Sequence, residues 1–234
     1  MISISQTSEP VRPSRTKRLF DLLVGSLALI LSLPVIAAAV VTAHLSGDRG
    51  PAFHRARRVG PGGRPITVLK LRTMRVDAKQ GPGITRDGDP RVTPIGRVLR
   101  RYKLDELPQL WNVVRGEMSL VGPRPEDPRY VDWANPLHRK VFTAVPGITG
   151  PAQLAYRWEE QLLVGDDPER LYRERVLPAK LELDSRYLDE QSLLLDVRIL
   201  ARTALAPLAA RPPARAPDRD AETVETDEAG AVPS

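Results

Sequence analysis

The chain has 234 residues, a formal net charge of +6 and no cysteine, which excludes disulfides, zinc–thiolate sites and thiol catalysis. Its three histidines, His44, His54 and His138, are too scattered to indicate a histidine metal site or a Ser–His triad. The last 24 residues carry three basic and six acidic side chains, so the basic excess lies before residue 211. A basic body indicates an anionic partner, which can be a nucleic acid, a phosphorylated metabolite or lipid head groups.

Residues 1–18 form a basic N-terminal tail, and an uncharged apolar run follows it. No charged side chain occurs between Leu22 and Ala43, and a helix of that length measures about 33 Å, enough to cross a bilayer core once. A cleaved signal peptide is the main alternative, although the run is long for one and lacks a clean small-residue exit site. The run therefore predicts a membrane helix over residues 19–46.

Basic residues on both sides of this run favour a helix that returns to the face from which it enters. They precede the run up to Arg18 and follow it from Arg49 to Arg58, whereas a spanning helix would place one group on the wrong side under the positive-inside rule. Pro34 lies near the middle of the run, where a proline removes a backbone hydrogen bond and bends the helix. We interpret the segment as a re-entrant membrane helix broken at Pro34, with a plain span as the alternative.

The elements after the membrane segment are mostly helical. Two extended segments flank the turn-forming residues 60–63 and predict a small β-hairpin within residues 51–76. Residues 95–115 show helical spacing of apolar side chains, and residues 168–206 predict long amphipathic helices. The sequence therefore predicts a mostly helical α+β fold with amphipathic surface helices.

Three further segments have the composition of loops or disordered chain. Residues 77–94 and 120–128 are rich in loop-forming residues such as proline, glycine and aspartate. Residues 208–234 contain almost no large apolar side chains and predict a disordered tail. The folded domain is therefore expected over residues 47–207.

The densest polar cluster places the acidic pair Asp105 and Glu106 directly after a run of basic residues. The basic residues are Arg97, Arg100, Arg101 and Lys103. A structural interpretation is that Asp105 caps or charge-balances the helix that follows it. A catalytic interpretation is that the cations keep a carboxylate ionised and bind phosphate oxygens, so that the carboxylate can attack phosphorus while its neighbour holds a divalent cation.

Other segments supply additional candidates of lower specificity. Lys70 and Arg72 lie together at the end of the second predicted strand, and Arg124 lies between two prolines. Asp87-Gly88-Asp89 resembles the acidic metal site of many sugar-nucleotide glycosyltransferases, but the alternation of strands and helices that surrounds such sites is missing. Nucleic-acid binding is disfavoured by the 5% aromatic content and by the absence of zinc spacing or a helix-turn-helix pattern.

Four segments, taken in order, resemble the bacterial sugar transferase family of monotopic polyprenyl-phosphate hexose-1-phosphate transferases, also called small phosphoglycosyl transferases. The segments are KRLFDLLVGSLALILSLPVIAA, LKLRTM, GRVLRRYKLDELPQLWNVVRGEMSLVGPRPE and PGITGPAQL. The similarity runs from about Lys17 to Leu205. It implies an enzyme at the cytoplasmic face of the bacterial inner membrane that uses a UDP-sugar and polyprenyl (undecaprenyl) phosphate to initiate exopolysaccharide, O-antigen or other glycan assembly, with no nucleic acid and a possible homodimer.

The resemblance also implies roles for single residues of the catalytic domain. Asp105 matches the nucleophile that forms an aspartyl-phosphosugar and expels UMP, and Glu106 matches the residue that binds Mg²⁺. Pro34 matches the proline that breaks the re-entrant helix. The basic positions around the diphosphate and nucleotide are matched by Lys70, Arg100, Arg124 and Arg157, and Arg72 is a further substrate-binding candidate beside Lys70.

The sequence departs from the family pattern at several places. Leu33 stands where many members have serine, Val145 precedes the PGITG turn where a basic residue is common, and Pro151 follows it. Residues 156–178 are longer than in the smallest members. These departures leave the identity of the sugar open. An idle membrane scaffold and an inverting glycosyltransferase that uses Asp87-Gly88-Asp89 and releases UDP are the competing hypotheses.

Overall fold

The computed structural model of the chain describes residues 13–45, 50–76, 84–85, 88–163 and 167–206. The predicted disordered tail and most of the basic N-terminal tail lie outside these residues. The α-helices are α1 Arg15–Leu45, α2 Pro94–Arg101, α3 Gln109–Arg115, α4 Pro136–Phe142, α5 Pro151–Ala155, α6 Glu159–Leu162, α7 Pro168–Leu171, α8 Leu177–Glu190 and α9 Leu193–Leu205. The strands are β1 Phe53–Val59, β2 Pro65–Leu71, β3 Ser119–Val121 and β4 Gly147–Thr149. The prediction of a mostly helical fold with a small hairpin is confirmed.

The hairpin of β1 and β2 has the predicted position. Phe53 pairs with Leu71 and Val59 pairs with Pro65 in an antiparallel register. The connecting turn contains Gly62 and Gly63 at φ values of 64° and 77°, a left-handed conformation that glycine adopts without steric cost. The turn-forming sequence therefore set the register of the hairpin.

Helix α3 docks on the free edge of β2 through one asparagine. Asn112 Oδ1 accepts a hydrogen bond from Leu69 N at 3.1 Å, and Asn112 Nδ2 donates to Thr67 O at 2.8 Å. This side chain replaces the backbone partner that a third strand would supply. Because Lys70 lies next to Leu69, the contact also fixes the position of a candidate site residue.

A short parallel pair, β3 with β4, was not predicted. Ser119 pairs with Gly147, and Val121 pairs with Thr149. The two backbones approach closely at glycine: a Cβ atom on Gly147 would lie 2.1 Å from Gly122 N, which no structure tolerates without a shift. The pair brings the loop that carries Arg124 beside the PGITG turn, although these segments are far apart in sequence.

Helix α1 is long, and its first turns are part of the folded body. By length and composition it is the one helix among the described residues that could cross a membrane. Lys17 and Asp21 are nevertheless buried: Lys17 Nζ lies 2.7 Å from Asp196 Oδ2 of α9, and Asp21 Oδ2 accepts from Ser119 Oγ at 2.7 Å. Arg18 donates to the carbonyl oxygen of Val113, at the end of α3, at 2.6 Å. Lys17 and Arg18, predicted as the end of a tail, therefore anchor α1 to α9 and α3, and Asp21, predicted as part of the membrane helix, anchors it to β3.

The remainder of α1 exposes many large apolar side chains, packs Ile36 and Ala39 against the body, and continues through Pro34. Leu23, Leu27, Ile30 and Leu31 are each more than half exposed, as expected for side chains that face lipid. The helix is continuous through Pro34, so the predicted break of the helix is not seen there. Re-entry of α1 remains a prediction.

Two main hydrophobic clusters hold the body together. The first packs α3, β3, α8 and α9 against the hairpin and includes the fully buried Val68, Val113 and Val121. The second lies between α4, α8 and the chain before α8, around Val141, Tyr172 and Leu181. The acidic pair and its basic neighbours lie on the elements that surround these clusters.

Candidate active site

Asp105 and Glu106 lie on a single 3₁₀ turn, Leu104–Glu106, that interrupts the helical stretch predicted over residues 95–115. Helix α2 ends at Arg101, and the interruption continues with Lys103, which has a left-handed backbone conformation (φ 57°) that a helix cannot contain. The interruption ends at Pro108, the residue directly before α3. Proline is tolerated at the start of a helix, where a backbone N–H would have no partner within the helix. Both carboxylates are turned inward, with only 7% and 8% of Asp105 and Glu106 exposed.

Two cations from separate elements converge on Glu106. Lys70 Nζ on β2 lies 3.0 Å from Glu106 Oε1, and Arg124 Nη2, in the loop after β3, lies 2.9 Å from the same oxygen. The Asn112 contact positions β2, and the β3–β4 pair positions the Arg124 loop. The structure thus assembles three of the predicted site residues through tertiary contacts.

The same surroundings act on the two acidic residues in opposite directions. Burial opposes ionisation of Glu106, but Arg124, Lys70 and Lys103 outweigh it and hold the pKa of Glu106 well below its usual value. Burial raises the pKa of Asp105, and the adjacent Glu106 charge adds to the rise. Burial likewise lowers the pKa of Lys70, while the nearby Glu106 charge raises that of Arg124. The arrangement keeps Glu106 as the anion of the pair and leaves Asp105 as a buried carboxyl whose charge is less well compensated.

The structure excludes the capping interpretation of Asp105. The N-cap of α3 is Pro108, and no side chain caps that helix. Asp105 Oδ1 is buried and accepts no hydrogen bond from any residue that the structure describes. A buried carboxylate oxygen without a partner is costly, and such groups are retained where a ligand or a reaction uses them.

A cavity of about 550 Å³ opens in front of the two carboxylates. Basic side chains from six parts of the chain line it: Arg58, Lys70, Arg100, Lys103, Arg124, Arg157 and Lys180. Apolar side chains from α1, α5, α9 and β4 line it as well: Val24, Ala28, Ile148, Leu154, Leu200 and Ala204. The cavity is large enough for a phosphorylated small molecule and presents both cations and apolar surface to it.

The three remaining predicted substrate-binding residues differ in position. Arg100 and Arg157 line the cavity, whereas the Arg72 guanidinium lies outside this lining and donates from Nε to Pro51 O at 2.6 Å. The Arg100 guanidinium donates to Thr85 Oγ1 at 3.1 Å. Arg157 lies with its guanidinium 5.1 Å from the ring centroid of Trp158, and burial lowers the pKa of Arg157. A substrate-binding role for Arg72 thus lacks the geometric support that Arg100 and Arg157 have.

Several side chains that sequence reasoning did not select also line the cavity. Lys180 Nζ lies 2.8 Å from Glu159 Oε2, and Tyr172 Oη donates to Glu126 Oε2 in a short hydrogen bond. Glu159 and Tyr172 lie in residues 156–178, the segment that is longer than in the smallest family members, whereas Lys180 and Glu126 lie outside it. The charged residues were visible in the sequence, but nothing in the local pattern connected them to Asp105.

The alternative acidic motif does not form a comparable site. Asp89 is bound by Arg91 through both carboxylate oxygens, with contacts of 2.6 and 3.0 Å, and Asp87 lies outside the described residues. Asp89 does not line the cavity that contains the carboxylate pair, as far as the structure describes the chain. The Arg91 pair accounts for the burial of Asp89.

The residues present fit a magnesium ion that takes part of its coordination from a ligand. Among the described residues no group of three or more histidine, cysteine or acidic side chains lies close enough to hold a metal by itself. Magnesium prefers oxygen ligands and is commonly held by one or two carboxylates together with water and substrate phosphates. Glu106 and the unpartnered oxygen of Asp105 supply carboxylate ligands of this kind.

The fold and the site together define a class of protein: one with a buried carboxylate pair, surrounded by cations, in a cavity beside a long apolar helix. The bacterial sugar transferase family model matches residues 12–210, and the chain belongs to this family.

The chain is similar to several proteins of named function. It is 38% identical to the UDP-glucose:undecaprenyl-phosphate glucose-1-phosphate transferase of Caulobacter vibrioides over 80% of this chain and 67% of that protein. It is 36% identical to the UDP-N-acetylgalactosamine-undecaprenyl-phosphate N-acetylgalactosaminephosphotransferase of Aeromonas hydrophila over 80% of this chain, but the match covers 42% of that protein. A putative undecaprenyl-phosphate N-acetylgalactosaminyl 1-phosphate transferase of Bacillus subtilis is 39% identical over 63% of this chain and 78% of its own length.

Proposed function

We propose that this protein transfers a hexose-1-phosphate from a UDP-sugar to polyprenyl (undecaprenyl) phosphate, releases UMP, and so initiates assembly of an exopolysaccharide, an O-antigen or another glycan. The observation that carries the proposal is the buried Asp105–Glu106 pair, in which one carboxylate is neutralised by two cations and the other keeps an unpartnered oxygen. Family membership and the named reactions of the relatives support the same reaction class.

In the first half-reaction a carboxylate oxygen of Asp105 attacks the phosphorus atom that bears the sugar. The bond from that phosphorus to the bridging oxygen of the diphosphate breaks, and UMP leaves with the oxygen and its electron pair. The product on the protein is an aspartyl-phosphosugar. Lys70, Arg100 and Arg124 would bind the phosphate oxygens, and the position of all three in the lining of the cavity supports this role.

In the second half-reaction a phosphate oxygen of the lipid acceptor attacks the same phosphorus atom. The acyl–phosphate bond breaks, the Asp105 carboxylate is regenerated, and the sugar is left on a polyprenyl diphosphate. Asp105 carries the phosphosugar from the first step to the second, so UMP leaves before the acceptor reacts.

A magnesium ion, when bound by Glu106, would neutralise the diphosphate and make UMP a better leaving group. The protein residues nearby prepare the site for that role, because Lys70 and Arg124 keep Glu106 ionised. Removal of divalent cations with a chelator should therefore stop UMP release.

The enzyme would act at the cytoplasmic face of the cell membrane, with α1 entering the bilayer and returning to the same face. The apolar, exposed side chains of α1 support membrane insertion, and the doubly basic flanks of the apolar run support a monotopic arrangement. Both reactants are compatible with this site, because one is a soluble nucleotide and the other a membrane lipid.

Identification of the released nucleotide tests the proposal. Purified protein with Mg²⁺, undecaprenyl phosphate and a panel of UDP-sugars should release UMP, and Asp105→Asn should lower the rate by roughly 10³-fold or more because the nucleophile is lost. Asp89→Asn is the matched control and should still release UMP. Release of UDP that depends on Asp89 would instead support an inverting glycosyltransferase, and failure to release any nucleotide would support a scaffold.

A further inference from the structure

The cavity in front of the carboxylates has walls of two kinds. One wall carries Asp105, Glu106 and the cations that surround them. The other, which we call the apolar wall, consists of Val24 and Ala28 of α1, Leu200 and Ala204 of α9, Ile148 of β4 and Leu154. A nucleotide sugar carries its charge on the diphosphate and has hydroxyl groups on both sugars, so an apolar surface made by six side chains matches it less well than it matches a hydrocarbon chain.

The apolar wall reaches the surface of the protein on both α1 and α9. Val24 is 36% exposed, and Ala204 is exposed as well. The adjoining side chains on both helices, Leu27 and Leu205, are 59% and 63% exposed. In the described part of the chain, α1 and α9 contribute no charged side chain to the lining of the cavity. A ligand can therefore extend from the carboxylates to the outer faces of two helices without passing a charge on either of them.

Contacts within the body hold this wall in place. Thr149 Oγ1 of β4 lies 2.7 Å from Thr203 Oγ1 of α9, so the two elements are joined beside Ala204. The ion pair between Lys17 and Asp196 joins α1 to the first turn of α9. The spacing of α1 and α9 is thus set by polar contacts on either side of the wall, which leaves the apolar residues between them available to a ligand.

We propose that the apolar wall binds the first isoprene units of the lipid acceptor, those next to its phosphate. This inference rests on the proposed function and deepens it by naming the acceptor subsite. The phosphate of the acceptor must reach the phosphorus on Asp105, and the chain attached to it then lies along apolar surface instead of charged surface. Burial of the isoprene units at the wall would favour acceptors with an isoprenoid chain.

Substitutions on α9 test the subsite directly. Ala204→Phe places a large side chain on the apolar wall, whereas the matched control Ala201→Phe places it one turn away at a position that is exposed and does not line the cavity. Ala204→Leu is a milder version that guards against loss of the fold. The KM for undecaprenyl phosphate and for farnesyl phosphate is measured in detergent micelles, since the shorter chain reports on binding in the cavity and not on partition into the micelle.

We expect Ala204→Phe to raise the KM for both acceptors roughly ten-fold, equivalent to about 1.4 kcal/mol, and Ala204→Leu to raise it less. Ala201→Phe should match the wild type. The donor half-reaction is followed separately, as exchange of labelled UMP into the UDP-sugar without acceptor, and should persist in all variants.

The two proposals fail in different ways. Absence of UMP exchange in the wild-type protein contradicts the proposed covalent function. Normal exchange combined with an unchanged acceptor KM in both Ala204 variants overturns the acceptor subsite, as does a rise confined to undecaprenyl phosphate. Loss of exchange in the folded Ala204 variants would also overturn it, because the wall would then serve the donor.

Discussion

Two adjacent carboxylates in this protein have different electrostatic surroundings, although the sequence presents them as equivalent neighbours. Glu106 receives Lys70 and Arg124 on one oxygen, whereas Asp105 retains a buried oxygen without a partner. The basic run before them predicted a phosphate site, but the two cations that bind Glu106 lie far from it in sequence. The local sequence pattern could therefore locate the pair, and the family resemblance gave its members different roles, but their different electrostatic surroundings arise only from tertiary contacts.

This difference predicts opposite effects of two isosteric substitutions on stability. The pKa of Asp105 is raised, so its ionisation destabilises the folded state increasingly as the pH rises through that pKa; Asp105→Asn should raise the Tm at neutral pH. The pKa of Glu106 is depressed, so its stabilisation is complete above the usual value and is lost as the pH falls through the folded pKa. Glu106→Gln should therefore lower stability at neutral pH by about 2 kcal/mol, since Lys70 and Arg124 lose a charged acceptor.

Thermal unfolding of the two variants and the wild type between pH 4 and pH 8 checks these signs. The gain in Asp105→Asn should shrink toward acid pH, where the native carboxyl is already protonated. A Tm that falls in Asp105→Asn and is unchanged in Glu106→Gln would show that the charges are not distributed as described.

Among the elements, those defined by local pattern were predicted and those defined by distant partners were not. The hairpin follows from turn-forming residues between two extended segments, and α8 and α9 follow from apolar periodicity. The parallel pair β3–β4 has only three residues in each strand and depends on the close approach of Gly122 and Gly147. The break at Lys103 was also missed, because helical spacing continues on both sides of it.

Helix α1 combines two roles that its sequence shows separately. Its apolar run predicts a membrane helix, and its residues up to Arg18 were assigned to a tail. Lys17 nevertheless binds α9 within the body, and Asp21, from the predicted membrane helix, binds β3. These buried contacts fix the start of the helix relative to the body that carries Asp105 and Glu106. The orientation of α1 is therefore set by its contacts with the body.

Cysteine labelling tests whether α1 re-enters. The native chain has no cysteine, so single cysteines at Ser14 and at Arg49 report on the two ends of the apolar segment without background. In oriented membrane vesicles a membrane-impermeant thiol reagent should label both positions from the cytoplasmic face. Labelling of the two positions from opposite faces would mean a helix that spans the bilayer, in spite of Pro34.

At the scale of the whole molecule, the cavity lies where the long apolar helix α1 meets a body that lines the cavity with cations. Four of the five predicted substrate-binding residues line it, and Arg72 does not. Glu159 and Lys180 line it without having been predicted, because they reach it through the packing of α6 and α8 and not through any motif near Asp105. This placement brings the buried carboxylates and their cations next to the apolar wall.

The central claim is that Asp105 carries the sugar phosphate between donor and acceptor, and detection of that adduct tests it most directly. The protein is incubated with Mg²⁺ and UDP-glucose or UDP-N-acetylgalactosamine without acceptor, then analysed by intact-mass and peptide mass spectrometry. We predict a sugar-phosphate adduct on the peptide containing Asp105, formed with an equivalent of UMP and discharged by undecaprenyl phosphate. Full turnover with acceptor, but with no adduct and no UMP release in its absence, would contradict the account.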